Sequence, residues 1–563
     1  MLSVKSKNQL QIALILVLIC VVCGSAQESK LGRVEFQTSG SEKAQAHFLR
    51  GLAALHSFWY EEALEAFREA TKVEPDFAMG YWGEAMAHNH PLWSEQDIAA
   101  ARQVLARIKE TPKLTDRERA YIAAVRLLYG DGDKSTRDAA YSKAMEKIYR
   151  TYPDDLDAAA FYSLSLLGMV RGDDKTYRLQ AQAGAIALDV YQKNPNHPGA
   201  AHYIIHAFDD PEHAVLALPA ARRYADIAPE AHHARHMPSH IFVQLGMWPE
   251  AAASNEAAWE SSDAWMKRKN LSLSVRDYHS LHWLLYAYLQ QGRYNQAEQL
   301  LNLMKKVMSE STYDNKLRPG YYENNYANMA AAFVVETERW NLATELFPTQ
   351  PSAVAPGQTS TSGGHAGHGS SPAPGGNGGA TVRTSTAHLA LPPFVRGMAA
   401  AVERSAALEQ HLAKLRAVGS KTQIRELEIT ALGASMKNDH AKAIELMKKA
   451  TALEEEISAP YGPPSLIKPT HELFGEILLR AGKPAEAAKQ FKIALLRQPN
   501  RARSLLGAAR AAAQSGDSAA ATAAYTKLVE QWKQADESLS ELREARQYLD
   551  QIKSTKGTKS TNR

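Results

Sequence analysis

The sequence has very little cysteine and almost no excess of charge of either sign. Its 563 residues include 2 Cys, Cys20 and Cys23, both near the N-terminus. From residue 27 onward the chain therefore offers no disulfide, no thiolate nucleophile and no Cys metal ligand. Lys and Arg number 65 against 61 Asp and Glu, a net charge of +4. This balance argues against a nucleic-acid partner, because neutralising phosphates requires a strongly basic surface.

The N-terminus has the pattern of a secretory signal peptide. A basic start precedes the apolar run of residues 10–22, and small residues end at Ala26. This order is typical of signal peptides, and the run is shorter than the ~20 residues that span a bilayer. We therefore predict that residues 1–26 are removed and that the protein is exported, either to a periplasm or to the medium. The mature chain would then have no membrane span. An uncleaved N-terminal anchor is the alternative.

Two distant segments repeat the same residue types at the same spacing. The matching residues are Gly51, Ala63, Phe67, Ala70 and Pro75 in the first segment and Gly475, Ala487, Phe491, Ala494 and Pro499 in the second. The pattern resembles the tetratricopeptide repeat, a helical hairpin. Its small residues let two helices approach closely, and its Pro ends the second helix.

Weaker copies of this pattern extend over most of the chain, so the sequence predicts an all-α solenoid whose hairpins pack mainly on their neighbours. Residues 348–386 interrupt it with Pro, Gly, Ser, Thr and Ala. Such a composition buries too little apolar surface to offset the chain entropy, which indicates a flexible linker. The linker divides an N-terminal solenoid, residues 40–347, from a C-terminal one, residues 387–552. Residues 553–563 are predicted to be a disordered tail.

Histidine is concentrated in one region, since ten of the 20 His lie between His197 and His282. In the tetratricopeptide repeat, the second, fifth and ninth residues of the first helix share one face, which lines a concave groove. We start three successive repeats at Pro198, His232 and Tyr278. This register turns Tyr286 and seven His toward the groove, namely His202, His206, His233, His236, His240, His279 and His282.

These His form a candidate site for a transition metal. A His pair at positions i and i+4 can hold an ion from one helix face, and neighbouring helices can complete an all-nitrogen ligand set. Imidazole suits Zn or Cu, whereas Ca and Mg prefer oxygen. Asp209, Asp210 and Glu212 follow the first pair and are candidates to orient the rings or to add a ligand. A pH-sensitive groove for a peptide is one alternative interpretation, and plain packing is another.

Pro238 leaves the ligand set open. It lacks an N–H, so it breaks the helical hydrogen bond to Ala234 if a helix runs through it. Either the helix begins at Pro238, a favourable first position, or it is kinked there. In the first case His232, His233 and His236 precede the helix on a loop.

The His-rich stretch also resembles that of a group of exported bacterial tetratricopeptide-repeat proteins, a resemblance that implies architecture and no activity. It rests on residues 202–206, residues 236–241 and a later segment, residues 463–472. Repeat solenoids mostly bind other proteins, so the leading hypothesis is a scaffold that binds a protein or peptide in its concave groove. The alternative is a metalloprotein or metalloenzyme that uses His202, His206, His236 and His240. No acid–base partner stands out by spacing, which makes catalysis the less favoured reading.

Overall fold

The fold is known from a computed structural model that describes residues 30–171, 174–310, 320–347, 387–419, 422–458 and 461–560. The predicted signal peptide, residues 1–26, and the predicted linker, residues 348–386, lie outside the described residues. Within these ranges no helix is both long enough and apolar enough to cross a membrane.

The part of the chain before residue 348 consists of helices that pack on their neighbours in sequence. Its helices are α1 (Glu42–His56), α2 (Tyr60–Val73), α3 (Ala78–Met86), α4 (Ile98–Leu105), α5 (Asp116–Leu128), α6 (Lys134–Thr151), α7 (Leu156–Gly168), α8 (Arg178–Lys193), α9 (Pro198–Ala207), α10 (Ala214–Ile227), α11 (His232–His236), α12 (Pro238–Gln244), α13 (Trp248–Lys269), α14 (Tyr278–Gln290), α15 (Tyr294–Ser309), α16 (Tyr321–Thr337) and α17 (Ala343–Leu346). Three short 3-10 helices are Pro91–Trp93, Leu273–Val275 and Trp340–Leu342. A two-stranded antiparallel ribbon, β1 (Asn89–His90) and β2 (Glu95–Gln96), lies between α3 and α4.

The part after residue 386 continues the same stacking. Its helices are α18 (Ala387–Val402), α19 (Leu408–Arg416), α20 (Gln423–Met436), α21 (His440–Glu455), α22 (Thr470–Arg480), α23 (Pro484–Arg497), α24 (Ala502–Gln514), α25 (Ser518–Gln531) and α26 (Ser540–Ser560). Helix α18 packs on α16, so the stack of helices continues across the sequence interval 348–386.

The repeat residues meet as the sequence predicts. The Phe67 ring lies so close to Gly51 that a Cβ on this glycine would be 2.8 Å from it. Phe491 stands in the same relation to Gly475, at 2.7 Å. Glycine in α1 and α22 thus allows each aromatic ring to fill the space between the two helices of a hairpin. The predicted all-α solenoid is confirmed.

The turn inside each hairpin has one recurring position with a left-handed backbone, five residues before the small residue of the second helix. Glycine occupies it at Gly246, Gly292, Gly482 and Gly516, with φ between 64° and 78°. Glycine suits this position because it has no Cβ to clash with the backbone. In the first hairpin the same position holds Phe58, with φ of 53°.

The His-rich stretch forms two short helices that meet at Met237. The N–H of Met237 donates to the carbonyl of His233 at 2.9 Å, and the N–H of His240 donates to the carbonyl of Met237 at 3.1 Å. Helix α12 begins at Pro238, one of the two predicted alternatives. The preceding residues differ from that prediction, because His233 lies on the five-residue helix α11 and not on a loop.

The C-terminal hairpins pack against N-terminal ones as well as on their sequence neighbours. Arg501, directly before α24, is fully buried. Its Nε donates to Glu472 Oε2 of α22 at 2.7 Å, and its Nη1 donates to the Tyr286 hydroxyl of α14 at 2.8 Å. Nearby, Trp248 Nε1 donates to the carbonyl of Asn500 at 2.9 Å. The solenoid therefore folds back on itself.

The last helix runs further than the sequence predicted. Helix α26 ends at Ser560 and so includes part of residues 553–563, which were predicted to be disordered. The Lys553 ammonium lies 3.7 Å from the Asp550 carboxylate one turn earlier, an ion pair that supports a helix at this spacing.

Candidate metal centre

Three imidazoles from two helices form a first cluster, called triad A: His202, His206 and His233. His202 and His206 lie one turn apart on α9, and His233 lies on α11. The Nε2 atom of His202 is 3.0 Å from Nε2 of His206 and 3.2 Å from Nε2 of His233. The three rings therefore point their Nε2 atoms at a common centre.

Three further imidazoles form triad B: His236, His240 and His279. His236 ends α11, His240 lies in the first turn of α12, and His279 is the second residue of α14. The Nε2 atom of His236 is 3.2 Å from that of His240 and 3.1 Å from that of His279. All three side chains are buried.

The two triads are neighbours. The ring centroids of His206 and His240 lie 5.9 Å apart, and those of His233 and His236 lie 6.2 Å apart. His233 and His236 share α11, and one turn of helix separates them. Helix α11 contributes His233 to triad A and His236 to triad B. After the break at Met237, helix α12 contributes His240 to triad B.

Hydrogen bonds at Nδ1 determine the tautomers in triad B. His240 Nδ1 lies 2.5 Å from Asp209 Oδ2, and His236 Nδ1 lies 2.7 Å from Asn255 Oδ1. The Asn255 amide nitrogen donates to the carbonyl of Ala251 at 2.8 Å, so its oxygen is the atom that faces His236. Because both oxygens accept, both Nδ1 atoms carry the hydrogen. The Nε2 atoms of His236 and His240, on the opposite side of each ring from Nδ1, then face each other at 3.2 Å.

His202 of triad A is fixed in the same tautomer. Its Nδ1 lies 2.7 Å from the backbone carbonyl oxygen of His56, which can only accept. Burial lowers the pKa of His202 to about 3, and burial likewise lowers the pKa of His236 to about 3. Both rings are therefore neutral at pH 7, with Nε2 available as a ligand atom.

A third buried cluster holds the His56 backbone in place. The carboxylate of Asp157 accepts hydrogen bonds from Nε2 of His56 at 2.9 Å and from Nε2 of His197 at 3.3 Å. The other nitrogens are also bonded, since His56 Nδ1 accepts from the Tyr203 hydroxyl at 2.9 Å and His197 Nδ1 accepts from the N–H of Ala200 at 3.1 Å. This cluster is satisfied without an ion. By holding the His56 side chain, the cluster fixes the position of the His56 backbone carbonyl, which bonds His202 Nδ1 and so orients that ring.

Two aromatic side chains pack against the triads. The centroid of Phe58 lies 4.3 Å from that of His202, which places this ring beside triad A. Trp283 of α14 lies beside triad B, with its centroid 4.4 Å from His240 and 4.9 Å from His236. Apolar walls exclude water, and this strengthens electrostatic interactions inside the site.

A C-terminal segment packs on the Trp283 wall. A Cβ on Gly462 would lie 2.2 Å from the Trp283 ring, and Gly462 has φ of 113°. The segment continues to Lys468, whose buried ammonium donates to Glu472 at 3.0 Å. Gly462 thus lies against the ring of Trp283, which packs on His236 and His240 of triad B.

The structure brings together six of the seven His that the sequence placed on the groove face. His282 is half-buried, and it belongs to neither triad. Tyr286 also points elsewhere and binds Arg501. Of the three acidic candidates, Asp209 orients a ring, Asp210 bonds His213 at 2.9 Å, and Glu212 is exposed.

Sequence reasoning missed three contributors to the site, namely His56, Asn255 and Phe58. His56 and Phe58 lie almost 150 residues before His202, and no local spacing signals the contact. Asn255 offered one signal, because it replaces the Phe of the repeat pattern in its hairpin. A polar residue at a position that packs between helices indicates a buried hydrogen-bond partner.

Family models describe two segments of the chain as tetratricopeptide repeat, residues 44–77 and residues 473–536. These two segments contain the Gly51 and Gly475 hairpins from which the fold was predicted. A comparison with curated protein sequences gives no significant match.

Several solved structures are similar to the chain at low sequence identity. A tetratricopeptide repeat protein from Parabacteroides merdae is 13% identical, with 57% of this chain and 97% of that one covered and a TM-score of 0.29. Yeast Tom70 is 12% identical over 92% of this chain and 90% of its own, with a TM-score of 0.28. The human IFIT1 dimer with m7Gppp-AAAA is 13% identical over 88% and 91%, with a TM-score of 0.31. Such low scores carry no information about what this chain binds.

Proposed function

We propose that the protein is a metalloprotein that holds two transition-metal ions, one in triad A and one in triad B. The observation that carries this proposal is the pair His236 and His240. Their Nε2 atoms lie 3.2 Å apart, and each ring has its hydrogen on Nδ1. Two lone pairs at this distance repel each other unless a cation or a proton lies between them. A metal ion satisfies both at once.

The nitrogen spacing supports a first-row transition metal. Nitrogens that bind one ion at ~2.05 Å, as in zinc sites, lie about 2.9–3.4 Å apart for bond angles from about 90° to the tetrahedral value. The Nε2 distances of 3.0, 3.2, 3.2 and 3.1 Å fall in this range. Imidazole ligands favour Zn or Cu over Ca or Mg, and the carboxylate of Asp209 behind His240 raises the basicity of that ligand.

Three protein nitrogens leave each ion a position for an exogenous ligand. An ion held in this way can act as a Lewis acid or lower the pKa of a bound water. The chain's own residues keep the Nε2 atoms of His202 and His236 unprotonated, orient the rings through Asp209, Asn255 and the His56 carbonyl, and exclude bulk water with Phe58 and Trp283.

Metal analysis of the purified protein tests the proposal. After loading with Zn or Cu and removal of excess metal, wild type is expected to retain about two ions per chain. A variant with His202→Ala and His206→Ala is expected to retain about one, and so is a variant with His236→Ala and His240→Ala. His282→Ala is the matched control, because His282 shares α14 with a ligand but belongs to neither triad.

Three results would contradict the proposal or its ligand assignment. Wild-type protein that retains no stoichiometric metal after loading excludes a metal function. Double variants that are folded by circular dichroism and still retain two ions show that the triads are not the ligands. His282→Ala with fewer ions than wild type would place a ligand outside the two triads.

A protein partner is the second candidate function, and it follows from the solenoid fold, since repeat arrays present extended surfaces. The groove face with the triads is largely buried, so a partner would bind elsewhere on the solenoid. Val215 and Leu216 are adjacent on α10 and 60% and 52% exposed, an apolar pair of the kind that partners cover. A pull-down with wild type and with Leu216→Asp tests this, because capture by both alike would rule out this surface.

Export remains a prediction, because residues 1–26 lie outside the described part of the chain. We propose removal of this segment at Ala26. The intact mass of protein recovered from a bacterial periplasm or from the medium measures it, and a mass that includes residues 1–26 would contradict cleavage.

A further inference from the structure

Phe58 occupies a backbone conformation that its side chain disfavours. Its φ is 53°, and the equivalent turn position holds glycine in four other hairpins, as at Gly246 and Gly482, and Asn438 in another. A bulky residue rarely adopts a positive φ, and such residues persist where the surrounding structure holds them, often at functional sites. The Phe58 ring is buried, so this turn directs an aromatic side chain into the protein.

The ring of Phe58 lies against all three members of triad A. Its centroid is 4.3 Å from that of His202, 5.8 Å from that of His206 and 5.7 Å from that of His233. The last two rings are roughly parallel to Phe58, with interplanar angles of 27° and 25°. Phe58 is thus the wall of the metal site on the side of the first hairpin.

Phe58 also lines a cavity of about 30 Å3. The wall of this cavity is mainly apolar, with Leu128, Phe161 and Leu164 among its lining residues, and its polar members include Asn89, Asp138 and Ser165. A cavity of this size and character has room for a molecule of two atoms and offers few hydrogen bonds to hold water.

Tyr60 adds one polar group to the same cavity. Its hydroxyl is buried, and the described residues supply it with no hydrogen-bond partner. A buried donor without a partner is costly, and a ligand that is a weak acceptor would relieve part of this cost. An uncharged diatomic gas combines a small apolar body with weak acceptor atoms.

We propose that this cavity holds an uncharged diatomic gas of the size of dioxygen or carbon monoxide, and that Phe58 controls its passage to the metal of triad A. This inference rests on the proposed metal function. Phe58 is a specificity-determining residue in this proposal, since its ring separates the cavity from the three ligands. Larger molecules are excluded by the volume.

Xenon tests the cavity without any metal, because it is an apolar atom of suitable size that enters such cavities. Crystals of the metal-free protein under xenon pressure are expected to show xenon between Phe58 and Leu164. Leu164→Phe fills this space and is expected to abolish the peak. An ordered water in the cavity of the wild type that keeps xenon out would overturn the proposal.

Carbon monoxide tests the passage. The protein is loaded with Cu(I), its metal content is measured, and rebinding of carbon monoxide is followed after flash photolysis. Phe58→Gly removes the ring and suits the positive φ, so the bimolecular rate is expected to rise about tenfold, which corresponds to a barrier lower by ~1.4 kcal/mol. Phe58→Leu is expected to increase the rebinding rate by a smaller factor. It replaces Phe58→Gly in the experiment if Phe58→Gly does not fold.

Asn438→Gly is the matched control. Asn438 has φ of 64° at the equivalent turn position of another hairpin, so this variant relieves the same kind of backbone strain far from triad A. Its rate is expected to equal that of wild type. A Phe58→Gly rate equal to that of Asn438→Gly would overturn the role of Phe58 while leaving the metal function intact. If the wild-type protein binds no Cu(I), both the proposed metal function and the proposed role of Phe58 are overturned.

Discussion

Asp209 and His240 are joined by a hydrogen bond of 2.5 Å across 31 residues of sequence. The second carboxylate oxygen of Asp209 accepts from the Gln244 amide at 3.1 Å, which fixes the plane of the carboxylate. Residues behind a metal ligand set its orientation and its basicity. Asp209 is therefore the residue outside triad B whose charge bears most directly on an ion held there.

Asp209→Asn is expected to weaken metal binding at triad B by about 10- to 100-fold, because an amide can still accept the hydrogen but no longer carries the charge. A competition titration with a chromophoric chelator measures the two affinities. Asp210→Asn is the control, since Asp210 bonds His213 and no triad member. Equal affinities in wild type and Asp209→Asn would remove Asp209 from the metal centre.

Metal removal is expected to destabilise the wild-type protein. At free metal about 100 times the Kd, one occupied site adds about 2.7 kcal/mol to the free energy of unfolding. Urea unfolding with metal and with a chelator measures this difference. The variant with His202→Ala and His206→Ala should keep only the part that triad B contributes. The same stabilisation by metal in wild type and in this variant would show that ions bind elsewhere.

Gly462→Ala is expected to disrupt the packing of the C-terminal segment on Trp283 beside triad B, because the added Cβ would lie 2.2 Å from the Trp283 ring. Gly419→Ala is a matched control. Gly419 has φ of 126° and no other group within 4 Å of the added Cβ. Both variants strain the backbone, and only Gly462→Ala also creates a clash. We expect Gly462→Ala to be less stable than the control by ~1–3 kcal/mol in urea unfolding and to release metal faster to a chelator. Indistinguishable variants would exclude the close contact with Trp283.

Glu472→Gln is expected to cost ~3–5 kcal/mol of stability, because it removes one of the two buried carboxylates that pair with Arg501, the other being Glu336, and also breaks the ion pair with the buried Lys468. Burial raises the pKa of the Glu472 carboxyl, but Arg501 and Lys468 outweigh burial and hold that pKa below its usual value. Glu472 is therefore charged at neutral pH. Glu486→Gln breaks an exposed pair with Lys483 and should leave the urea midpoint unchanged. Equal midpoints for the two variants would show that the buried pair contributes nothing.

The hairpin architecture could be predicted from the sequence because it depends on local contacts. Gly51 and Phe67 meet within one hairpin, 16 residues apart, and spacing alone determines which helix faces they occupy. The same reasoning correctly predicted that the six His of the two triads share one face of the solenoid. It failed for His282, which shares the repeat position of His202 and His236. The repeat position specifies a face, whereas membership of a triad depends on how neighbouring helices cross.

The division into two triads could not be predicted because it depends on the break at Met237. A helix that is kinked at Pro238, or a helix that begins there after a loop, were the two alternatives, and the structure has two short helices in succession. The contacts of Phe58 with His202 and of Gly462 with Trp283 could not be predicted from the sequence for a different reason. They depend on the curvature that accumulates over many repeats, and no single repeat encodes it.

The fold-back at Arg501 has a consequence for the order of assembly. The N–H of Ala502 donates to the Gln290 side chain at 2.9 Å across 212 residues, so this contact closes a very long loop, and such contacts form late. A chain emerges N-terminus first, and its early segments fold first. We infer that the six imidazoles are assembled before Gly462 packs on Trp283 beside triad B. During this interval ions can enter a site that the finished protein encloses.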